Sequence, residues 1–283
     1  VSFLLVPLNA GFFTNALIGG TLAAWICALA GTWVIIRKMA FLGEAISHGM
    51  LPGVAVAALA GWHPLVGAGA SALVMATGIG WLTRRARLSQ DTAIGIAFVT
   101  MLSVGVIIVS RSRSFATDLT AILFGDILAI SRNELTVLVA ALGLTLALTL
   151  ALRRPLLALA LDESVAHTLH MRPRLASFTM TILVTLAVVA SYRAVGSLLV
   201  VALLIAPPAT ARLWSHSVAS TMILAGLIAT IAVIGGLYIS WYAGTAAGAS
   251  ISALSGVLFL TGVLITPLIR RTSAAPLPTG GHQ

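Results

Sequence analysis

The sequence predicts an all-α, polytopic transmembrane helical bundle, and three observations carry that prediction. Of 283 residues, 59% are hydrophobic and 8% charged, with a mean hydropathy of +1.09, whereas soluble domains carry roughly 25% charged residues. The apolar residues fall in runs separated by short charged clusters, and runs of about 20 residues suit helices that cross a bilayer. The same runs are too long for the alternating segments of about ten residues that build membrane barrels.

Taken in chain order, the apolar windows predict spans near Phe13–Ile36, Glu44–Ala60, Pro64–Leu82, Thr92–Ser110, Leu135–Leu152, Leu175–Ala190, Val195–Leu213, Val218–Ser240 and Thr245–Ile269. That is a bundle of roughly eight to nine spans. The N-terminal VSFLLVPLNAGFF lacks the basic region and small-residue cleavage site of a signal peptide and reads as the lead into the first span. Between the fourth and fifth spans, Asp118–Ile130 is too short to cross and too apolar for a simple loop, which suggests a half-helix packed against the bundle. Residues 1–271 form a single membrane domain in this reading, and the Ala-, Pro- and Gly-rich tail 272–283 is expected to be disordered and cytoplasmic.

Charge sets the orientation. With the N-terminus outside, twelve of the sixteen basic residues (Arg37, Lys38, Arg84, Arg85, Arg87, Arg153, Arg154, Arg172, Arg174, Arg212, Arg270, Arg271) fall on inner loops. Only Arg111, Arg113, Arg132 and Arg193 remain outside, as the positive-inside rule requires. The net charge of +9 thus reflects topology in a lipid bilayer; the basic residues are dispersed in ones and twos and make no face for nucleic acid. The longest inner connection contains LDESVAHTLHMRPR, where Asp162 caps a short helix that Pro173 ends, with Glu163 near its positive end. It reads either as a docking element for a cytoplasmic partner or as a helical linker.

The chemistry-bearing candidates are few. In FLGEAISHGMLPG, Glu44 and His48 are four residues apart, so a helix stacks them about 6 Å apart on one face. Ser47 lies on the neighbouring arc. Burying a carboxylate in a bilayer costs several kcal/mol, and such residues mark pathways or find partners. One carboxylate and one imidazole suit Zn, Mn or Fe(II) better than Mg or Ca; the structural alternative is an imidazole bonded to Glu44 or to a carbonyl. Gly43, Gly49, Pro52 and Gly53 allow close backbone approach and a helix break beside the pair. Asp118 and Asp126 read as helix caps or as an entrance on the outer side. His63, before Pro64, reads as a solvated turn residue, and His167 and His170 as solvent-facing. Pro207 and Pro208 must break or kink their span, as a gate or a bend.

Several classes are excluded. Cys27 has no partner cysteine, so there is neither a disulfide nor a thiolate cluster. Lys38 is the only lysine and no P-loop surrounds it, so any ATP is bound by another polypeptide. No H-E-x-x-H or G-x-S-x-G occurs, and an enzyme is not expected. A proton-coupled transporter and a permease for a metal chelate are the rival readings.

Four strings in order, RKMAFLGEAISHGMLPGVA, DLTAILFGDILAI, VGSLLVVALLIAPPATAR and GGLYISWYAGTAAGASI, give the chain a resemblance to the membrane permease subunits of bacterial ABC importers for zinc, manganese and iron(II). The resemblance covers nearly the whole length. It implies a type II importer in the bacterial cytoplasmic membrane, with two permease copies forming the path, two cytoplasmic ATPase subunits and an extracytoplasmic metal-binding protein. It further implies a transient site at Glu44 and His48 for the transported ion, no permanently bound cofactor, and a coupling helix near 162–172 that includes Asp162, Glu163, Ala166 and His170. Members commonly carry aspartate at the place of Glu44, glycine at that of His170, and Asp and Pro where Gly244 and Ala246 stand.

Overall fold

The first apolar run folds as α1 (Gly11–Ile36), and its composition puts it at the centre of the bundle. Gly19, Gly20, Ala23, Ala24 and Ala30 offer almost no side chain, so neighbours approach closely on several sides. Of its apolar stretch 72% is buried, against 17% for the last span. α1 ends in a Schellman arrangement, with Met39 N–H donating to Val34 O at 2.9 Å and Lys38 N–H to Ile35 O at 3.1 Å. Lys38 occupies the left-handed position, φ 57°, that glycine normally fills.

The computed structural model describes residues 6–7, 10–110, 127–161 and 173–273. Among them nine helices are long and apolar enough to cross a membrane, and no strand occurs. The second span, Phe41–Ala60, is interrupted at Met50, giving α2 (Phe41–Gly49) and α3 (Leu51–Ala60). Pro52 has no N–H for the His48 carbonyl, which removes one rung at the interruption. The Gly49 carbonyl instead accepts from Ser71 Oγ at 2.7 Å. Ser71 belongs to α4 (Pro64–Arg85), which packs beside α3 so closely that a Cβ at Gly53 would meet the Gly67 carbonyl, and one at Gly67 the Gly53 carbonyl.

α5 (Gln90–Ser110) covers α2 and α3 on their other side. α6 (Arg132–Ala151) and the short α7 (Arg153–Leu161) follow, then α8 (Pro173–Val195), α9 (Ser197–Trp214), α10 (Val218–Ala243) and α11 (Ala247–Ser273). α6, α8, α9 and α10 surround α1. The outer helices keep apolar faces open, with Val99 60%, Ile107 62% and Leu264 70% exposed; faces of this kind need lipid or a partner.

Three expectations change in detail. The second span begins at Phe41, so Glu44 sits one turn inside the helix rather than at its start. α8 runs on through Val195, past the expected end at Ala190, and one residue, Gly196 at φ 80°, separates it from α9. α9 is unbroken from Ser197 to Trp214, with Pro207 and Pro208 buried inside it. Pro208 cannot donate to the Leu204 carbonyl, and Gly31 of α1 lies flush against that carbonyl, where a Cβ would collide with it.

Of the expected half-helix only the end is described: a 3₁₀ turn at Ile127–Ala129 packs Ile127 and Ile130 against Gly20 and Gly19 of α1. Asp118, Asp126, Asp162, Glu163, Ala166, His167 and His170 lie outside the described residues. α11 continues to Ser273, two residues into the segment expected to be disordered.

Candidate functional site

α2 presents a sharp division of faces. Leu42, Ala45, Ile46 and Gly49 are buried, while Phe41 is exposed and Glu44 and His48 are half-buried. These last three recur at the spacing of one helical stripe. Glycines let the buried face lie flush: a Cβ at Gly43 would overlap Leu204 Cδ2 of α9, and one at Gly49 would overlap Met75 Sδ of α4. The acid lies in the first turn of α2 and the imidazole in its last. A carboxylate at the positive end and a basic group at the negative end both suit the helix dipole.

Neither Glu44 nor His48 has a hydrogen bond or ion pair among the described residues. The alternative in which His48 bonds to Glu44 is therefore not what the structure adopts. The imidazole meets Phe98 of α5 edge to face, with centroids 5.8 Å apart at 66°. Phe98 also packs edge to face on Phe41, at 5.3 Å and 74°. Ser47 is 2% exposed and donates to the Gly43 carbonyl at 2.9 Å, so it lies on the buried side of the open stripe with its proton engaged and its lone pairs left.

No group of three or more His, Cys, Asp or Glu side chains gathers among the described residues. One copy thus offers a carboxylate and an imidazole: half of a four-ligand shell, with the other positions open.

A second polar cluster lies at the opposite end of the span pair. Ser131 and Glu134 form a reciprocal capping box at the start of α6. Glu134 Oε1 accepts from Arg193 Nε of α8 at 2.9 Å, and the Arg193 guanidinium reaches His63 Nε2 at 3.4 Å. His63, expected to be merely solvated, caps α4 by accepting from Leu65 N–H at Nδ1. A cavity of about 210 Å³ opens among these side chains. The Ser-x-x-Glu spacing is a readable capping signal, but nothing local in the sequence joins Glu134 to Arg193.

Sequence reading missed Phe98 as a neighbour of the pair. It sits in an apolar run, where an aromatic carries the same signal as a lipid-facing residue.

Comparison with known proteins supplies the class. The chain is 34% identical over 260 residues, 92% of its length and 89% of the relative's, to the manganese transport system membrane protein MntC of Halalkalibacterium halodurans. It is 35% identical to the manganese import system permease protein ScaB of Streptococcus parasanguinis, over 93% of this chain and 94% of that one. The solved structure of PsaBC from Streptococcus pneumoniae in complex with Fab superposes with a TM-score of 0.84 at 32% identity, covering 96% of this chain and 98% of that one. The profile of the ABC 3 transport family matches residues 9–266. With the helical bundle and its nine apolar spans, these matches identify a multi-pass membrane protein: the chain belongs to the ABC 3 transport family.

Proposed function

We propose that this chain is the membrane permease subunit of an ATP-driven importer of divalent transition-metal ions, manganese, zinc or iron(II), and that it works as a homodimer. The observation that carries the reading is the open stripe of α2, where Glu44 and His48 stand half-buried and unbonded on a helix whose other face is packed. Two copies brought together across this stripe supply two carboxylates and two imidazoles, a set that suits a borderline divalent cation. Few other bonds hold these ligands, so the ion is held weakly enough to leave, as transport requires. The manganese-related names of the relatives favour manganese among the three.

The remaining roles are those the family membership suggests, in a chain oriented with the N-terminus outside and the C-terminus in the cytoplasm. Separate ATPase subunits bind ATP and press on the inner connection through Asp162, Glu163, Ala166 and His170. An extracytoplasmic metal-binding protein delivers the ion to the outer mouth, which includes the region of Asp118 and Asp126. Pro52 shapes the path beside the pair, and Pro207 and Pro208 bend with the change of access. No cofactor stays bound, and the metal is cargo.

The test is uptake of radiolabelled manganese by the assembled transporter carrying Glu44→Gln or His48→Ala. Each variant is expected to lose most uptake while assembly and the yield of the complex are kept. Uptake at the unsubstituted level in both removes the pair from the pathway.

A further inference from the structure

Histidines that hold metal ions nearly always have their second ring nitrogen bonded to a carboxylate or a carbonyl, which fixes the ring's rotation. His48 has no such bond among the described residues. The group that meets its ring is Phe98, edge to face at 5.8 Å and 66°. Phe98 is itself braced by Phe41, one helical stripe position before Glu44, at 5.3 Å and 74°. Its backbone is seated by the buried neighbours Ile94 and Ala97 on the same helix. The three rings form a chain from α2 to α5 and back, and the half-buried imidazole is its last member.

We infer that Phe98 is a positioning residue for the transported cation: its ring sets the angle of the His48 imidazole while leaving both imidazole nitrogens open. The inference rests on the metal reading of Glu44 and His48 and names what orients one of the two ligands. An aromatic edge restrains rotation by shape and quadrupole, without adding the basicity that a hydrogen-bonded carboxylate gives a ligand. The imidazole is aimed but not strengthened. A pathway needs that combination, because a fully supported histidine holds its ion and a free one pays for ordering on each passage.

The experiment titrates manganese(II) into the purified, assembled transporter and reads the free ion by its electron paramagnetic resonance signal, with thermal unfolding followed in parallel. Phe98→Leu keeps an apolar side chain and removes the ring edge; it is expected to weaken manganese binding about tenfold, at the low end for lost support of a ligand, without lowering the unfolding temperature. Phe98→Tyr keeps the ring and is expected to bind as the unsubstituted protein does. His48→Ala is the control, expected to lose the site. If His48→Ala loses binding and Phe98→Leu does not, the ring is not a positioning group. If Leu and Tyr weaken binding equally, or both lower the unfolding temperature, Phe98 is packing only. If His48→Ala binds normally, the metal reading itself fails and this inference with it.

Discussion

The two polar clusters of this protein are built on opposite terms. Where α4 and α6 begin, Glu134 serves a cap and an ion pair, Arg193 reaches two partners and His63 closes a helix start. On α2, Glu44 and His48 have the same chemistry available and take none of it among the described residues. Polar groups in a membrane protein normally find partners because leaving them unmade is expensive. The Glu134–Arg193 cluster therefore reads as stability, and the α2 pair as two polar side chains left open on a packed helix.

That contrast breaks most decisively at the pair itself. Combining Glu44→Gln with His48→Ala is expected to remove nearly all manganese uptake, since the proposed site loses both of the ligands each copy offers, while the unfolding temperature of the complex in detergent moves little. A large fall in that temperature would place the pair with the structural groups. The next largest effect is expected between the clusters, where α3 and α4 touch backbone to backbone. Gly53→Ala puts a methyl group onto the Gly67 carbonyl and should cost about 1–3 kcal/mol, as overpacking does, seen as reduced yield and a lower unfolding temperature.

Glu134→Gln tests the other side of the contrast. Its ion pair is partly exposed, 48% at Arg193 and 24% at Glu134, so the expected loss is about 1 kcal/mol or less, with uptake kept. Strong loss of uptake without loss of stability would make the Glu134–Arg193 cluster part of the pathway. The smallest effect is expected at Lys38→Gly, which relieves a left-handed lysine and should raise stability by up to about 1 kcal/mol; a scanning calorimetry comparison checks it.

The fold was legible because bilayer thickness prints a length on each apolar run, and the windows from Phe13 to Ile269 fall on the nine spans. Their ends moved where hydropathy was not the cause. Gly196 divides α8 from α9 through backbone geometry, and Phe41 is the first residue of α2, with its ring packed on Phe98. Within the site, Glu44 and His48 stood out because ionisable groups are costly in an oily run. Ser47 lies on the neighbouring arc as its position suggested, buried there with its hydroxyl donating to the carbonyl one turn back. Phe98 and the Glu134–Arg193 pair were hidden for different reasons: the first has no contrast with its surroundings, and the second joins residues 59 positions apart.

The contact between Gly31 and the Leu204 carbonyl bears on how the molecule can move. A proline pair inside a helix is usually thought of as a joint. Here the central helix presses into the joint with bare backbone, and Pro208 Cγ would stand 3.0 Å from a Cβ at the same glycine. Bending at Pro207 and Pro208 then has to take α1 along, and α1 touches most of the bundle. Any bend at the proline pair is thereby shared between α1 and α9, and at this contact the two helices are packed as one unit.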